Sequence, residues 1–239
     1  MGRAHEVRAK AMAATAAARS SLFMRASKEI YMAAKSGEPD PTMNLALRSA
    51  IEKWKGQNVT KDVIERAIQK AKGGSAESYT SGRYEGFAQG ASAIIVDTLT
   101  DNTNRAYVGV GSCFKKKGGH LGTPGSVSFN FTEYGVLEFD GGDRDAIEEN
   151  LIMGDVDVAS VESDEGYITI LTAPTALQAA KDVLATMGIT EFDTNEIKMV
   201  PNELVELSPE EEEKFKGLID MLGECEDVQA VYHNVQLHD

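Results

Sequence analysis

The chain has 239 residues, 42% hydrophobic and 26% charged, a globular composition with enough length for one to three domains that each bury a core. No run of about 18 or more apolar residues, the length needed to span a bilayer, occurs in the sequence. Two cysteines, Cys113 and Cys225, with no CxxC pair, supply neither a disulfide framework nor a zinc cage. The net charge of −14 is unevenly spread: residues 1–82 hold 14 Lys and Arg against 8 Asp and Glu, whereas residues 134–239 hold 5 against 26. A polyanion would be attracted to the first part and repelled by the last.

In chain order, residues 7–35 read as one long helix, favoured by Ala13, Ala14, Ala16, Ala17 and Ala18 and carrying an apolar stripe through Leu22, Phe23, Ala26, Ile30 and Ala33/Ala34. The Ala- and Arg-rich start has the composition of a transit peptide, against which Glu6 and Glu29 count. Asp40 is expected to cap, and Pro41 to open, a second helix with the face Met43, Leu47, Ala50, Ile51 and Trp54. Thr60 is expected to cap a third, with Val63, Ile64, Ala67, Ile68 and Ala71 inward. Ser75–Ser81 reads as a linker.

The pattern then changes to α/β. Ala93–Leu99 is a buried strand, Asp101 or Asn102 caps a helix to about Lys117, and Ser126–Phe131 alternates as a strand with Val127, Phe129 and Phe131 inward. Val136–Phe139, Asp143–Met153, Val156–Glu162, Tyr167–Leu171, Pro174–Met187 and Ile189–Phe192 follow in the order βαββαβ, the split-βαβ ferredoxin-like arrangement. Glu196–Val200, Pro209–Leu222 and Val228–Val235 supply the other half of the earlier βαβ. The expected fold is α+β: an N-terminal helical bundle with linker (1–82) and two ferredoxin-like βαββαβ domains, one (133–195) inserted into the other (83–132 and 196–239).

Signatures of catalysis are missing. The sequence has no P-loop and no G-x-S-x-G elbow. Gly109-Val110-Gly111 falls within a helix rather than between strand and helix, and the four histidines lack metal spacing. No cofactor and no metal are expected. The acids Glu210–Glu213 suit a helix N-terminus. The helices flanking Lys55–Thr60 are joined by too long a break for a typical helix-turn-helix.

The residue types that suit a phosphate backbone are Arg3, Arg8, Lys10, Arg19, Arg25, Lys28, Arg48, Lys53, Lys55, Lys61, Arg66 and Lys70, with the run Lys115, Lys116 and Lys117. Several cations on one face would bind phosphates in a salt-dependent way. Lys115–Lys117 also suit a last helical turn.

A set of motifs runs through the chain in order. It comprises Met1-Gly2-Arg3-Ala4, Gly37-Glu38-Pro39-Asp40-Pro41 with Asn44 and Leu47-Arg48, and Lys61-Asp62-x-Ile64-Glu65-Arg66-Ala67-Ile68-x-Lys70. Further on stand Arg83-Tyr84-Glu85-Gly86, Leu99-Thr100-Asp101-Asn102-x-Asn104-Arg105, Lys117-Gly118-Gly119-x-Leu121-Gly122-x-x-Gly125-Ser126-Val127-Ser128-Phe129 and Asp227-Val228-Gln229-x-Val231-Tyr232-His233-Asn234. Together they resemble the YebC family, which includes bacterial proteins labelled probable transcriptional regulators and a mitochondrial translational activator. The resemblance implies three domains with the third inserted into the second, and a cytoplasmic, non-enzymatic protein acting on gene expression through DNA or ribosomal RNA, with the ribosome as a partner and no membrane. Arg105 joins the candidate nucleic-acid contacts. The alternative is a protein-interaction module working through its acidic α/β domains. The alanines at positions 11, 13, 14, 16, 17 and 18 stand where relatives usually carry more Lys and Arg.

Overall fold

The structure, a computed structural model, describes residues 16–74 and 77–238. These fall into two compact units, one holding residues 16–50, Val59–Thr132 and 200–238, the other Ile51–Asn58 and Glu133–Met199.

In the first unit, α1 (Ala16–Lys35) packs against α3 (Lys61–Lys72), burying Ala26, Ile30, Tyr31 and Ala34 with Ile64 and Ala67. The expected stripe is therefore present from residue 16 onward; the part of the predicted helix before it lies outside the described residues. Helix α2 (Leu45–Gly56) starts later than the sequence suggests. Asp40 does not cap it. The Asp40 carboxylate accepts from the Thr42 N–H (2.8 Å) and hydroxyl (2.7 Å), closing a separate turn, and Asn44 Oδ1 caps the helix by accepting from Leu47 N–H at 3.0 Å. Met43 is thereby left outside the helix and 78% exposed, while Leu47 and Ala50 are buried as expected.

The first sheet is built from β1 (Thr80–Phe87), β2 (Ala93–Thr100), β3 (His120–Leu121) and β8 (Val228–His233), in the order β3-β1-β2-β8. All its pairings are antiparallel. Strand β1 starts inside the stretch that reads as a linker and continues to Phe87, beyond any strand that the sequence pattern predicts. Its sequence is polar and carries Gly82 and Gly86, because a Cβ at Gly86 would stand 2.6 Å from the Phe114 ring. Helix α4 (Thr103–Lys116) is capped by Asn102, which accepts from Arg105 N–H. With α7 (Pro209–Glu224) it covers one face of the sheet around Ile94, Val96, Phe114, Phe215, Leu218 and Val228. The alternation over Ser126–Phe131 does not make a strand. Residues Ser128–Asn130 form a 3-10 turn, Val127 is buried, and Phe129 is 79% exposed rather than inward.

The second sheet is built from β4 (Phe131–Asp140), β5 (Val158–Asp164), β6 (Tyr167–Thr172) and β7 (Thr194–Pro201), in the order β5-β6-β4-β7. Helices α5 (Arg144–Met153, capped by Asp143) and α6 (Leu177–Thr186) complete an element order of βαββαβ. Ile147, Leu151, Ala180 and Leu184 pack on Leu137, Ile168 and Ile170. Two strand expectations are corrected. Ile189–Phe192 makes no ladder: it follows a left-handed turn at Gly188 (φ +83°), and Ile189 and Phe192 only pack on the core. The strand over Glu196–Val200 belongs to this sheet, beside β4, not to the first.

Candidate nucleic-acid interface

Arg3, Arg8 and Lys10 lie outside the described residues. Among the other candidates, several are held by the protein's own oxygens. Lys28, on α1, is buried. Its Nζ donates to the carbonyls of Glu226 (2.8 Å) and Leu99 (3.3 Å) and stands 3.7 Å from the Asp227 carboxylate. Arg105 meets the same carboxylate with two donors, Nε to Oδ2 at 2.8 Å and Nη2 to Oδ1 at 2.6 Å, and also pairs with Asp101. Burial pushes the Asp227 carboxyl up. Hydrogen bonds from Arg105 and Thr100 and the charges of Arg105 and Lys28 outweigh this and hold it below the ordinary carboxylate value.

Lys70 pairs with Glu77 at 2.6 Å. Arg48 donates to the carbonyls of Pro41 and Thr42, bracing the turn before α2. Lys61 and Arg66 make exposed i,i+4 pairs with Glu65 and Asp62 on α3, of the weak kind that leaves a cation available. Arg19 is exposed, 5.9 Å from the Phe23 ring centre, and Arg25 is half-buried and engaged within the protein.

In the other unit, Lys53 pairs with Glu196 at 2.9 Å. Lys198 stands 3.5 Å from Glu196 and 3.9 Å from the buried Glu138. Desolvation pushes the Glu196 carboxyl up, but Lys53 and Lys198 together bring it below its ordinary value. Glu52 of α2 pairs with Lys181. Trp54, next to Lys53, is buried, as expected of a core residue.

The side chains of Lys55, Lys115 and Lys116 are exposed and make no hydrogen bond, ion pair or ring contact among the described residues. Lys117 is half-buried and lies along α7, its Nζ placed where a Cβ on Gly217 would come within 2.6 Å. Lys115 and Lys116 end α4, whose outer side also carries Tyr107 and Val108, 57% and 65% exposed.

The chain from Lys117 leads through β3 into a loop with an internal anchor. Glu85, buried on β1, accepts from the backbone N–H groups of Val127 (2.7 Å), Gly125 (2.8 Å) and Ser128 (2.9 Å). Burial pushes the Glu85 carboxyl up, and these donors outweigh it and hold it below its ordinary value. The anchored loop displays Phe129 to solvent. Neither Glu85 nor Phe129 was identified from the sequence as part of a site, since Phe129 has the spacing of an inward strand residue. Among the described residues no group of three or more metal-ligating side chains occurs, and no helix is long and apolar enough to cross a membrane.

Comparison with known proteins bears on this surface. Residues 3–74 match the TACO1/YebC protein N-terminal domain, and residues 79–235 match the TACO1/YebC second and third domain. The chain is 49% identical over 218 residues to "Probable transcriptional regulatory protein YeeN" of Escherichia coli strain K12, covering 91% of this chain and 92% of that protein. It is 48% identical over 218 residues, with the same coverage, to "Probable transcriptional regulatory protein YcdB" of Lactococcus lactis. A crystal structure of a conserved hypothetical protein from Aquifex aeolicus matches with a TM-score of 0.79 and 32% identity, covering 92% of this chain and 91% of that one. With nearly its whole length matched, in sequence and in fold, the chain belongs to the TACO1/YebC family of proteins, whose relatives here carry the names of transcriptional regulators.

Proposed function

We propose that this protein is a non-catalytic regulator of gene expression that binds nucleic acid, in the cytoplasm, through the segment from α4 to the Phe129 loop. The observation that carries the reading is the composition of that surface. Two lysines without acidic partners end a helix bearing Tyr107, and an anchored loop a dozen residues on presents a bare phenylalanine. Cations that follow a phosphate backbone, combined with exposed aromatic rings on which bases stack, suit single-stranded or looped RNA better than duplex DNA. Ribosomal RNA is therefore the favoured partner and DNA the second. Lys61 and Arg66 of the same unit are further cations open to solvent, as is Lys55 in the other unit, while Lys28, Lys53, Lys70 and Arg105 serve structure instead.

The domain partition that accompanies this reading is a helical domain to about residue 82, a discontinuous α/β domain and an inserted one. The second boundary is moved to about residue 200 because β7 pairs within the inserted sheet. The inserted domain, with its βαββαβ order, is read as ferredoxin-like; the discontinuous one has the order ββαβαβ and is not.

The test is fluorescence anisotropy with labelled single-stranded RNA and duplex DNA over a salt series, beside sedimentation of cell lysate on a sucrose gradient with and without nuclease. The expected result is RNA affinity that falls steeply with salt and nuclease-sensitive co-migration with ribosomes. Affinity that stays flat with salt would overturn it. One observation favours a second reading, a protein-interaction module: residues 134–239 carry 26 acids against 5 bases. Under that reading, reversing the charge of Lys115 and Lys116 leaves function intact.

A further inference from the structure

The only two cysteines of the chain are 112 residues apart in sequence and touch in the fold. Cys113 lies on the buried side of α4, and Cys225 is the residue that closes α7. Their sulfurs are 3.4 Å apart, and both thiols point at the carbonyl of Met221. Neither has a role in the surface described above. We propose that Cys113 and Cys225 are a modification site: a thiol pair that a hydroperoxide converts into an intramolecular disulfide joining α4 to the connector between α7 and β8.

The surroundings favour this pairing over other fates. Cys113 is buried while Cys225 is partly open, so peroxide meets Cys225 first. The Cys225 thiolate attacks one peroxide oxygen, the O–O bond breaks, and water leaves after proton uptake, giving a sulfenic acid. The Cys113 sulfur, already in contact, then attacks the Cys225 sulfur. The S–O bond breaks and a second water departs. Two thiols and one hydroperoxide thus become one disulfide and two waters (or one water and one alcohol), the two electrons passing from sulfur to oxygen. The sulfurs need to close by somewhat more than an ångström to reach a bond length of about 2 Å. Cys225 sits in extended backbone at the end of a helix, where such a movement disturbs no helical hydrogen bond beyond its own cap.

The pair is built for a slow, lasting mark rather than a fast signal. Burial pushes the Cys225 thiol up to about 12, helped by its hydrogen bond with Cys113 and by the Asp227 and Glu224 carboxylates. The thiolate is therefore scarce at neutral pH. Once formed, the bond is shielded on the Cys113 side from attack by a reducing thiol. Its position also matters. The connector Cys225–Glu226–Asp227 holds Lys28 through the Glu226 carbonyl and Arg105 through the Asp227 carboxylate, so the bond would fix the segment on which α1 and α4 converge.

The test uses the full chain, reduced, freed of reductant and exposed to hydrogen peroxide without denaturant. After quenching, it is unfolded, alkylated and measured by intact mass and peptide mapping. The expected result is a mass lower by about 2 Da, both cysteines closed to the alkylating agent, a single Cys113–Cys225 cross-linked peptide, and recovery with dithiothreitol. The rate should rise about tenfold per pH unit between neutral and mildly alkaline conditions. C113S should yield higher oxides of Cys225 and no cross-link, and C225S should stay largely unreacted. Cross-links between chains, or Cys225 oxidised to sulfinic acid while Cys113 stays open to alkylation in the wild type, would overturn the proposal. The wild-type measurement decides by itself should either variant fold poorly.

Discussion

Arg105 and Asp227, 122 residues apart in sequence, meet in a two-donor ion pair with contacts of 2.8 and 2.6 Å. Because Lys28 lies against the same buried carboxylate, Asp227 neutralises two cations from two helices. D227N removes that charge, leaves the buried Lys28 ammonium without its counter-ion, and should destabilise the protein by about 2 kcal/mol in urea unfolding. D101N, on the exposed side of the same arginine, should change stability little. Equal effects for the two variants would show that the network is not organised around Asp227.

Glu85 predicts a pH dependence. Its folded value lies below the value it has in the unfolded chain, so its contribution is complete above the unfolded carboxyl value and is lost as pH falls through the lower, folded one. Between pH 6 and pH 3 the wild type should therefore lose more thermal stability than E85Q. At neutral pH, E85Q should cost about 1–2 kcal/mol and speed amide exchange at Gly125, Val127 and Ser128. Unchanged exchange at those three amides would mean that the loop is held by something else.

The candidate cations divide by environment into groups with opposite phenotypes. K115E with K116E should weaken RNA binding and lower the slope of log affinity against log salt by about one for each phosphate no longer neutralised, with only a small drop in the melt from placing acids at the end of α4. F129A should weaken binding to single strands at all salt concentrations and leave the slope intact. K53A should do the reverse of K115E, costing stability by leaving the largely buried Glu196 with Lys198 as its remaining counter-ion while binding stays as it was. An RNA affinity that depends on Lys53 and not on Lys115 or Lys116 would locate the interface elsewhere.

His238 supplies a switch near neutral pH. Its ring nitrogen meets Glu212 at 3.0 Å, and its backbone N–H donates to the same carboxylate at 2.7 Å. The hydrogen bond to Glu212 raises the His238 value, whereas Glu212, although burial pushes it up, is brought down to about 2 by Lys216 and His238. The histidine contribution is thus full below its unfolded value and is lost as pH rises through the raised, folded one. Amide exchange of residues 235–238 should accelerate from pH 6 to pH 8 beyond its intrinsic rise, and H238Q should flatten that excess.

The helices were legible in the sequence because their cause is local: Ala26, Ile30 and Ala34 recur at helical spacing, and Asn102 stands where a cap belongs. The errors arose where a distant residue overrides the local pattern. The alternation Val127, Phe129, Phe131 has the period of a strand, yet three N–H groups of that loop turn toward Glu85, some forty residues earlier, and Phe129 is left outside. The cations were legible as a charge excess but not as a surface. Nothing in the local sequence tells that Lys28 and Arg105 would be taken up by Asp227, whereas Lys115 and Lys116 would stay open.

Gly56 provides the sharpest steric test. A Cβ there would stand 2.5 Å from the carbonyl oxygen of Phe192 and 3.0 Å from that of Asp193, and neither is a flexible side-chain end that could swing away. The end of α2 is thus fitted backbone to backbone against the segment leading into β7, beside the ion pairs Lys53–Glu196 and Glu52–Lys181. In an exposed helix end, Gly to Ala is neutral or favourable by propensity. Here G56A should destabilise the protein by about 1–3 kcal/mol, because backbone must shift to admit the methyl group. G109A, on α4 with open space around it, should stabilise by up to about 1 kcal/mol. If G56A melts at or above the wild-type temperature, α2 does not sit against Phe192 and Asp193, and the structural role assigned to Lys53 loses its support.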